Sequence, residues 1–166
     1  MTSYIQNIFW VLGLVSLVFL SSCVEQAGIN ALTQAEKDDQ ILQDYFRRNN
    51  LNPTKTKDGL YYIMIKEGSP TLKPFKGDSV VVHYTGNLLD GYRFDSSRFR
   101  DEPFGFRQGQ GKVISGWEEA VLLLGLGARA NFYLPSERAY GRTGVGGSIP
   151  GNAILVFDIE MIKFFK

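Results

Sequence analysis

The sequence predicts an α+β domain in which an antiparallel sheet wraps one central helix, preceded by a short N-terminal helix. Three observations carry that prediction. The β-branched and aromatic run Ser79–Tyr84 turns over Asp90-Gly91 into a second run through Phe94-Asp95, which signals a β-hairpin because glycine takes positive φ without steric cost. Residues 128–134 and 153–164 alternate, with Ala130, Phe132 and Leu134 on one side of the first and Leu155, Phe157, Ile159 and Met161 on one side of the second, the period of half-buried strands. Between them and the hairpin, Ser115-Gly116-Trp117-Glu118 has capping-box spacing ahead of the apolar Val121–Leu124 and opens a helix.

From the N-terminus, residues 1–24 carry no charged side chain, and Ile8–Leu20 is almost continuously apolar up to Leu20-Ser21-Ser22-Cys23. That is a targeting pattern. Small residues ahead of a cysteine resemble a bacterial lipobox, with 1–22 as the leader and Cys23 as the lipidated first residue of the mature chain. Met1–Asn7 lacks the Lys or Arg usual in a leader, and the competing reading is an uncleaved helix long enough to span about 30 Å of hydrocarbon. Both readings put the remainder in the cell envelope, anchored to a membrane and facing the periplasm or the cell surface.

Residues 23–58 read as a tether and a short helix. Thr33 and Glu36 have capping-box spacing, Ile41, Leu42, Tyr45 and Phe46 recur at helical spacing, and Asn49-Asn50 and Pro53 end the pattern, which predicts a helix over about 34–48. Its apolar stripe packs on the main domain in one reading and on a second copy in the other, so the oligomeric state is not legible. A domain over 59–166 follows. Residues 59–65 form a strand closed by Lys66–Pro70; the hairpin comes next, then a short strand Phe104–Gln108, the Trp117 helix ended by Gly125 and Gly127, and a loop with Tyr140, Gly141, Gly144, Gly146, Gly147 and Pro150. In the hairpin, alternation places Val80, Val82 and Tyr84 on the core face and Val81 and His83 on the other. Phe94 and Asp95 then return beside Tyr84, so that a carboxylate stands among aromatic rings; the plainer alternative is a solvated Asp95.

Composition excludes several functions. A chain with 44% hydrophobic and 21% charged residues is an ordinary globular one, and its net charge of +1 is dispersed, so nucleic acid is not an expected partner. One cysteine and one histidine cannot form an internal disulfide, a multi-cysteine or Cys/His zinc site, or a Cys/His cluster. No EF-hand loop, phosphate loop or dinucleotide fingerprint is present, so neither a metal nor a cofactor is expected.

With these pieces in place, residues 59–164 resemble the FKBP family of peptidyl-prolyl cis-trans isomerases. VVHYTG at 81–86, DGYRFDSS at 90–97, PFGF at 103–106, VISGWEEAV at 113–121, AYG at 139–141 and IPGNAILVFDIE at 149–160 follow one another at the family's spacing. The resemblance implies a half-barrel of antiparallel strands around the Trp117 helix, with a shallow apolar pocket between them. It implies catalytic roles for Tyr84, Phe94, Asp95, Tyr140 and Phe157, and a substrate-binding surface of Phe104, Val113, Ile114, Trp117 and Ile149. Val145 stands where some members have histidine, and Gly151 follows Pro150 where many have a second proline. The implied partners are proline-containing polypeptides and an apolar macrolide, and the implied role is folding of extracytoplasmic proteins. The rival reading is a non-catalytic module that holds a partner's proline loop in an envelope or motility assembly.

Overall fold

A computed structural model describes residues 32–166; the expected leader over 1–22 and the expected lipidation site Cys23 lie outside the described residues. Helix α1 (Gln34–Arg48) is followed by strands β1 (Thr54–Lys55), β2 (Tyr61–Lys66), β3 (Ser79–Leu88), β4 (Arg93–Ser96) and β5 (Phe104–Arg107), helix α2 (Ser115–Leu123), β6 (Arg129–Leu134), a 3-10 turn (Ser136–Arg138) and β7 (Leu155–Phe165). The sheet runs β1-β2-β6-β7-β3-β4, with β5 also on β3, and every pair is antiparallel. This is the expected α+β half-barrel with its short N-terminal helix.

Strand β3 organises the sheet. Its first half pairs with β5 from Ser79↔Arg107 to Val82↔Phe104, its second half with β4 at Thr85↔Ser96 and Gly86↔Asp95, and its other edge with β7. The intervening residues 97–103 are thereby pushed out as a loop. Burial along β3 alternates strictly through Gly86, with Val80, Val82 and Tyr84 inside, as a two-residue period requires. The β3–β4 hairpin turns at Gly91, whose φ of 92° is the region that favours glycine.

Trp117, Ala120 and Val121 of α2 and the following Leu124 pack on Val80, Val82, Phe132, Leu134, Leu155, Ile159 and Met161 to make the main core. The intervening residues Tyr61, Tyr133 and Val156 point to the other face of the sheet, where Leu42 and Phe46 of α1 cover them together with Ile154. Phe46 meets Tyr133 edge to face at 4.9 Å, an arrangement aromatic pairs prefer.

Local details depart from expectation. Ile41 is 45% exposed, whereas Asp38 joins Leu42 and Phe46 as the buried face of α1. The two-residue β1 lies within the segment read as a tether and extends the sheet past β2. The Ser115–Glu118 capping box does not form: Ile114 is the N-cap, so Ser115 is already inside the helix. Glu118 instead accepts the backbone N–H groups of Gly109 and Gly111 at 2.5 and 3.0 Å, and α2 ends at Leu123, before either glycine, because Leu124 is extended.

Candidate active site

The end of the sheet that carries Tyr84 opens on a cavity of about 170 Å³ lined by Tyr84, Phe94, Asp95, Phe104, Lys112, Val113, Ile114, Trp117, Tyr140 and Phe157. Nine of the ten side chains expected from the sequence therefore meet here. Trp117 is the hub: its ring lies 4.9 Å from Tyr84, 5.3 Å from Phe157 and 5.8 Å from Phe104, each edge to face. Phe94 meets Phe157 in the same way at 5.6 Å. Such contacts fix ring orientation as well as burying carbon, so the walls are held before a ligand arrives.

Strand geometry explains why these rings converge. Tyr84 and Phe157 are inward residues of neighbouring strands, while Phe94 and Asp95 come from β4 across Gly86. Without a side chain at Gly86, the rings of Phe94 and Phe157 close over the strand; a Cβ there would lie 2.6 Å from Phe94 Cζ and 2.7 Å from Phe157 Cε1. Ser97 fastens the β3 backbone, its hydroxyl accepting the Tyr84 N–H at 2.7 Å. On the opposite face His83 Nδ1 lies 3.1 Å from that same hydroxyl.

One polar cluster interrupts the aromatic wall. The Tyr84 hydroxyl donates to Asp95 Oδ2, the Ser96 N–H donates to Oδ1 at 2.8 Å, and Arg100 ion-pairs with Oδ1 while also reaching the Tyr84 oxygen at 3.2 Å. Asp95 is thus neither isolated nor simply solvated. Burial pushes its carboxyl up, but the bonds from Tyr84 and Arg100 outweigh burial and hold it below the usual carboxylate range. Burial, and then the Asp95 carboxylate, push the Tyr84 phenol up; burial and the Asp95 field do the same to Tyr140. At neutral pH the cluster is an ionised carboxylate, two neutral phenols and a guanidinium.

Ile149 does not line the cavity. Val145 and Ile149 form an isolated antiparallel bridge, the Val145 N–H donating to the Ile149 carbonyl at 2.8 Å, and the Ile149 side chain turns into the main core. Arg100 and Lys112 were not among the residues expected. Both lie in loops, Arg100 beyond the end of β4 and Lys112 ahead of α2, where no periodic pattern marks a direction. Among the described residues no group of three or more potential metal ligands occurs. The arrangement can hold an apolar ring over Trp117, with the partly exposed Tyr140 among the lining residues.

A preformed apolar box with polar groups at one edge is the class of site that can accommodate a small ring of a polypeptide or ligand. Residues 71–162 match the family model of FKBP-type peptidyl-prolyl cis-trans isomerases. The FKBP-type peptidyl-prolyl cis-trans isomerase FkpA of Aeromonas hydrophila is 43% identical over 148 residues, covering 84% of this chain and 54% of that protein. Peptidyl-prolyl cis-trans isomerase Fkbp12 of Drosophila melanogaster is 46% identical over 105 residues, covering 63% of this chain and 97% of its own length. FK506-binding protein 1 of Dictyostelium discoideum is 43% identical over 106 residues, covering 64% of this chain and 98% of its own. The chain belongs to the FKBP-type peptidyl-prolyl cis-trans isomerases, although it spans only about half the length of the Aeromonas relative.

Proposed function

We propose that this chain is a membrane-tethered, extracytoplasmic prolyl isomerase that assists the folding of other envelope proteins. The observation that carries the catalytic part is the box of rings around Trp117 with the Tyr84–Asp95–Arg100 cluster at its edge. An X–Pro amide resists rotation because resonance keeps it planar, with a barrier of about 18–20 kcal/mol. Acceleration therefore requires only that the twisted amide bind better than the planar one; a hundredfold gain needs about 2.7 kcal/mol of such preference. The planar amide carries more separated charge than the twisted one, so a site that replaces water with aromatic carbon favours the twisted form.

In this mechanism Trp117 is the floor beneath the proline ring, and Tyr84, Phe94, Phe104 and Phe157 are its walls. Val113 and Ile114 close the side nearest α2, and the Ile114 N–H and Tyr140 hydroxyl receive the substrate carbonyls on either side of the twisting bond. Asp95, held ionised and oriented by Tyr84 and Arg100, faces the carbonyl of the residue before proline. No proton moves and no bond breaks. The same apolar box suits a macrolide of the FK506 kind, the ligand named for the Dictyostelium relative.

Support for the membrane tether is the uncharged apolar leader that ends in Leu20-Ser21-Ser22-Cys23. One lipid chain binds a membrane only marginally, so the tether needs the multiple chains of a bacterial lipoprotein. A protease-coupled isomerisation assay on a proline tetrapeptide tests the catalytic reading: acceleration inhibited by FK506 supports it. Macrolide binding without acceleration would instead leave a module that only holds proline loops.

A further inference from the structure

Asp38 of α1 is fully buried, and a carboxylate out of water persists only where donors compensate it. Its Oδ2 accepts the backbone N–H of Ser136 at 2.7 Å and the Ser136 hydroxyl at 2.6 Å, while Oδ1 accepts Gln34 Nε2 at 2.6 Å. Ser136 opens the 3-10 turn after β6, and the residue before it, Pro135, makes no side-chain capping bond. Asp38 therefore caps that turn from 98 positions away in the chain.

The turn leads directly to the active site. The Ser136 carbonyl accepts the N–H groups of Ala139 at 3.0 Å and Gly141 at 2.8 Å, the residues on either side of Tyr140. The Gly141 carbonyl in turn accepts the Asn152 N–H at 2.7 Å, closing the base of the following loop. From the other side Arg138 reaches Glu119 of α2 at 2.6 Å. Tyr140 itself is 40% exposed, and Gly141 and Gly144 after it have φ of 57° and 66°. Little burial holds it, so its placement depends on this backbone network.

We propose that Asp38 is a positioning residue for Tyr140, which makes α1, outside the matched region 71–162, a working part of the substrate site. Its kinetic consequence rests on the isomerase reading; its structural part does not. The test uses the full chain with Asp38→Ala and Asp38→Asn, each alone and combined with Tyr140→Phe, and measures kcat and KM on a proline peptide beside amide hydrogen exchange. Asp38→Ala is expected to lower kcat/KM by about tenfold, chiefly through KM as Tyr140→Phe does, because a small misplacement of a binding group is costly. In the Tyr140→Phe background that loss should shrink below about twofold, since residues acting through one another are non-additive. Exchange at Ala139 and Gly141 should quicken by about tenfold while β3 and β7 stay protected. Asp38→Asn, which keeps a carbonyl acceptor, should recover most of the loss.

Equal losses in both backgrounds, or unaltered exchange at Ala139 and Gly141, would overturn the proposal. Should Asp38→Ala not fold, Ser136→Ala decides: it removes only the hydroxyl donor and should show the same non-additivity with Tyr140→Phe on a smaller scale, and additive losses would count against the tie. Should the wild type show no isomerase activity, the isomerase reading fails, and exchange alone decides the structural tie.

Discussion

Replacing Gly86 by alanine tests whether the strand beneath the pocket sets its walls. Gly86 sits on β3 between Asp95 of β4 and Phe157 of β7, and the added methyl would lie 2.6–2.7 Å from carbons of the Phe94 and Phe157 rings. That is about 1 Å inside ordinary carbon contact. The position is ordinary extended strand, so alanine adds no backbone strain, and its smaller unfolded-state freedom stabilises by about 0.4–1 kcal/mol. The whole penalty is steric, about 1–3 kcal/mol for overpacking, which leaves a net loss of roughly 0–2.6 kcal/mol and a fall in Tm of at most about 10 degrees. Activity should suffer far more, because displacing binding groups by about 1 Å costs as much as 100-fold. The protease-coupled assay beside a thermal melt should show kcat/KM reduced by about 10–100-fold in a protein that still melts cooperatively. Wild-type activity with an unchanged melt would refute the claim that Phe94 and Phe157 are walls held at their closest approach.

Asp95→Asn and Tyr84→Phe should each reduce kcat/KM several-fold with the circular dichroism spectrum retained; unchanged rates in both would remove this pair from the mechanism. Arg100→Gln removes a partner that holds the Asp95 carboxyl down, and a depressed carboxyl contributes stability that is present above its unfolded value of about 3.9 and lost as pH falls through the lower folded value. The stability gap between wild type and Arg100→Gln should therefore be full above about pH 5 and close toward pH 2 in denaturant titrations. Trp117→Ala should abolish macrolide binding and destabilise by about 3–5 kcal/mol, read by calorimetry. Cys23→Ala should release the protein from membranes or leave the leader uncut, and intact-mass analysis that finds Met1 present and Cys23 free in the wild type would end the lipoprotein reading.

The legible parts of this molecule were those written as local periodicity or as ordered motifs. Alternation along β3 and β7 gave the core face, Asp90-Gly91 gave the hairpin, and the ordered motifs from VVHYTG to IPGNAILVFDIE gave nine residues of the pocket lining. What escaped depends on long-range partners. Asp38 looks like a solvated helix position until Ser136, distant in sequence, is brought against it. Arg100 follows β4 in a loop with no pattern to aim it at Asp95. Ile149 belongs to a matching motif, but its bridge to Val145 turns it inward. Glu118 has the spacing of a capping residue, yet the loop amides of Gly109 and Gly111 compete for its carboxylate.

In the proposed mechanism this site accelerates a rotation by shape and desolvation, without moving a proton. Asp95 is held below the ordinary carboxylate range, while Tyr84 and Tyr140 are pushed above the usual phenol range, so none of the three changes charge near neutrality. His83, the one histidine of the chain, bonds to Ser97 on the face of β3 away from the cavity. The decisive measurement is kcat/KM for a proline peptide from pH 6 to 8, for the wild type and His83→Gln. Profiles flat within about twofold for each protein, and rates within about threefold of each other, are expected if no proton moves. A bell-shaped profile centred near neutrality and abolished by His83→Gln would contradict that mechanism.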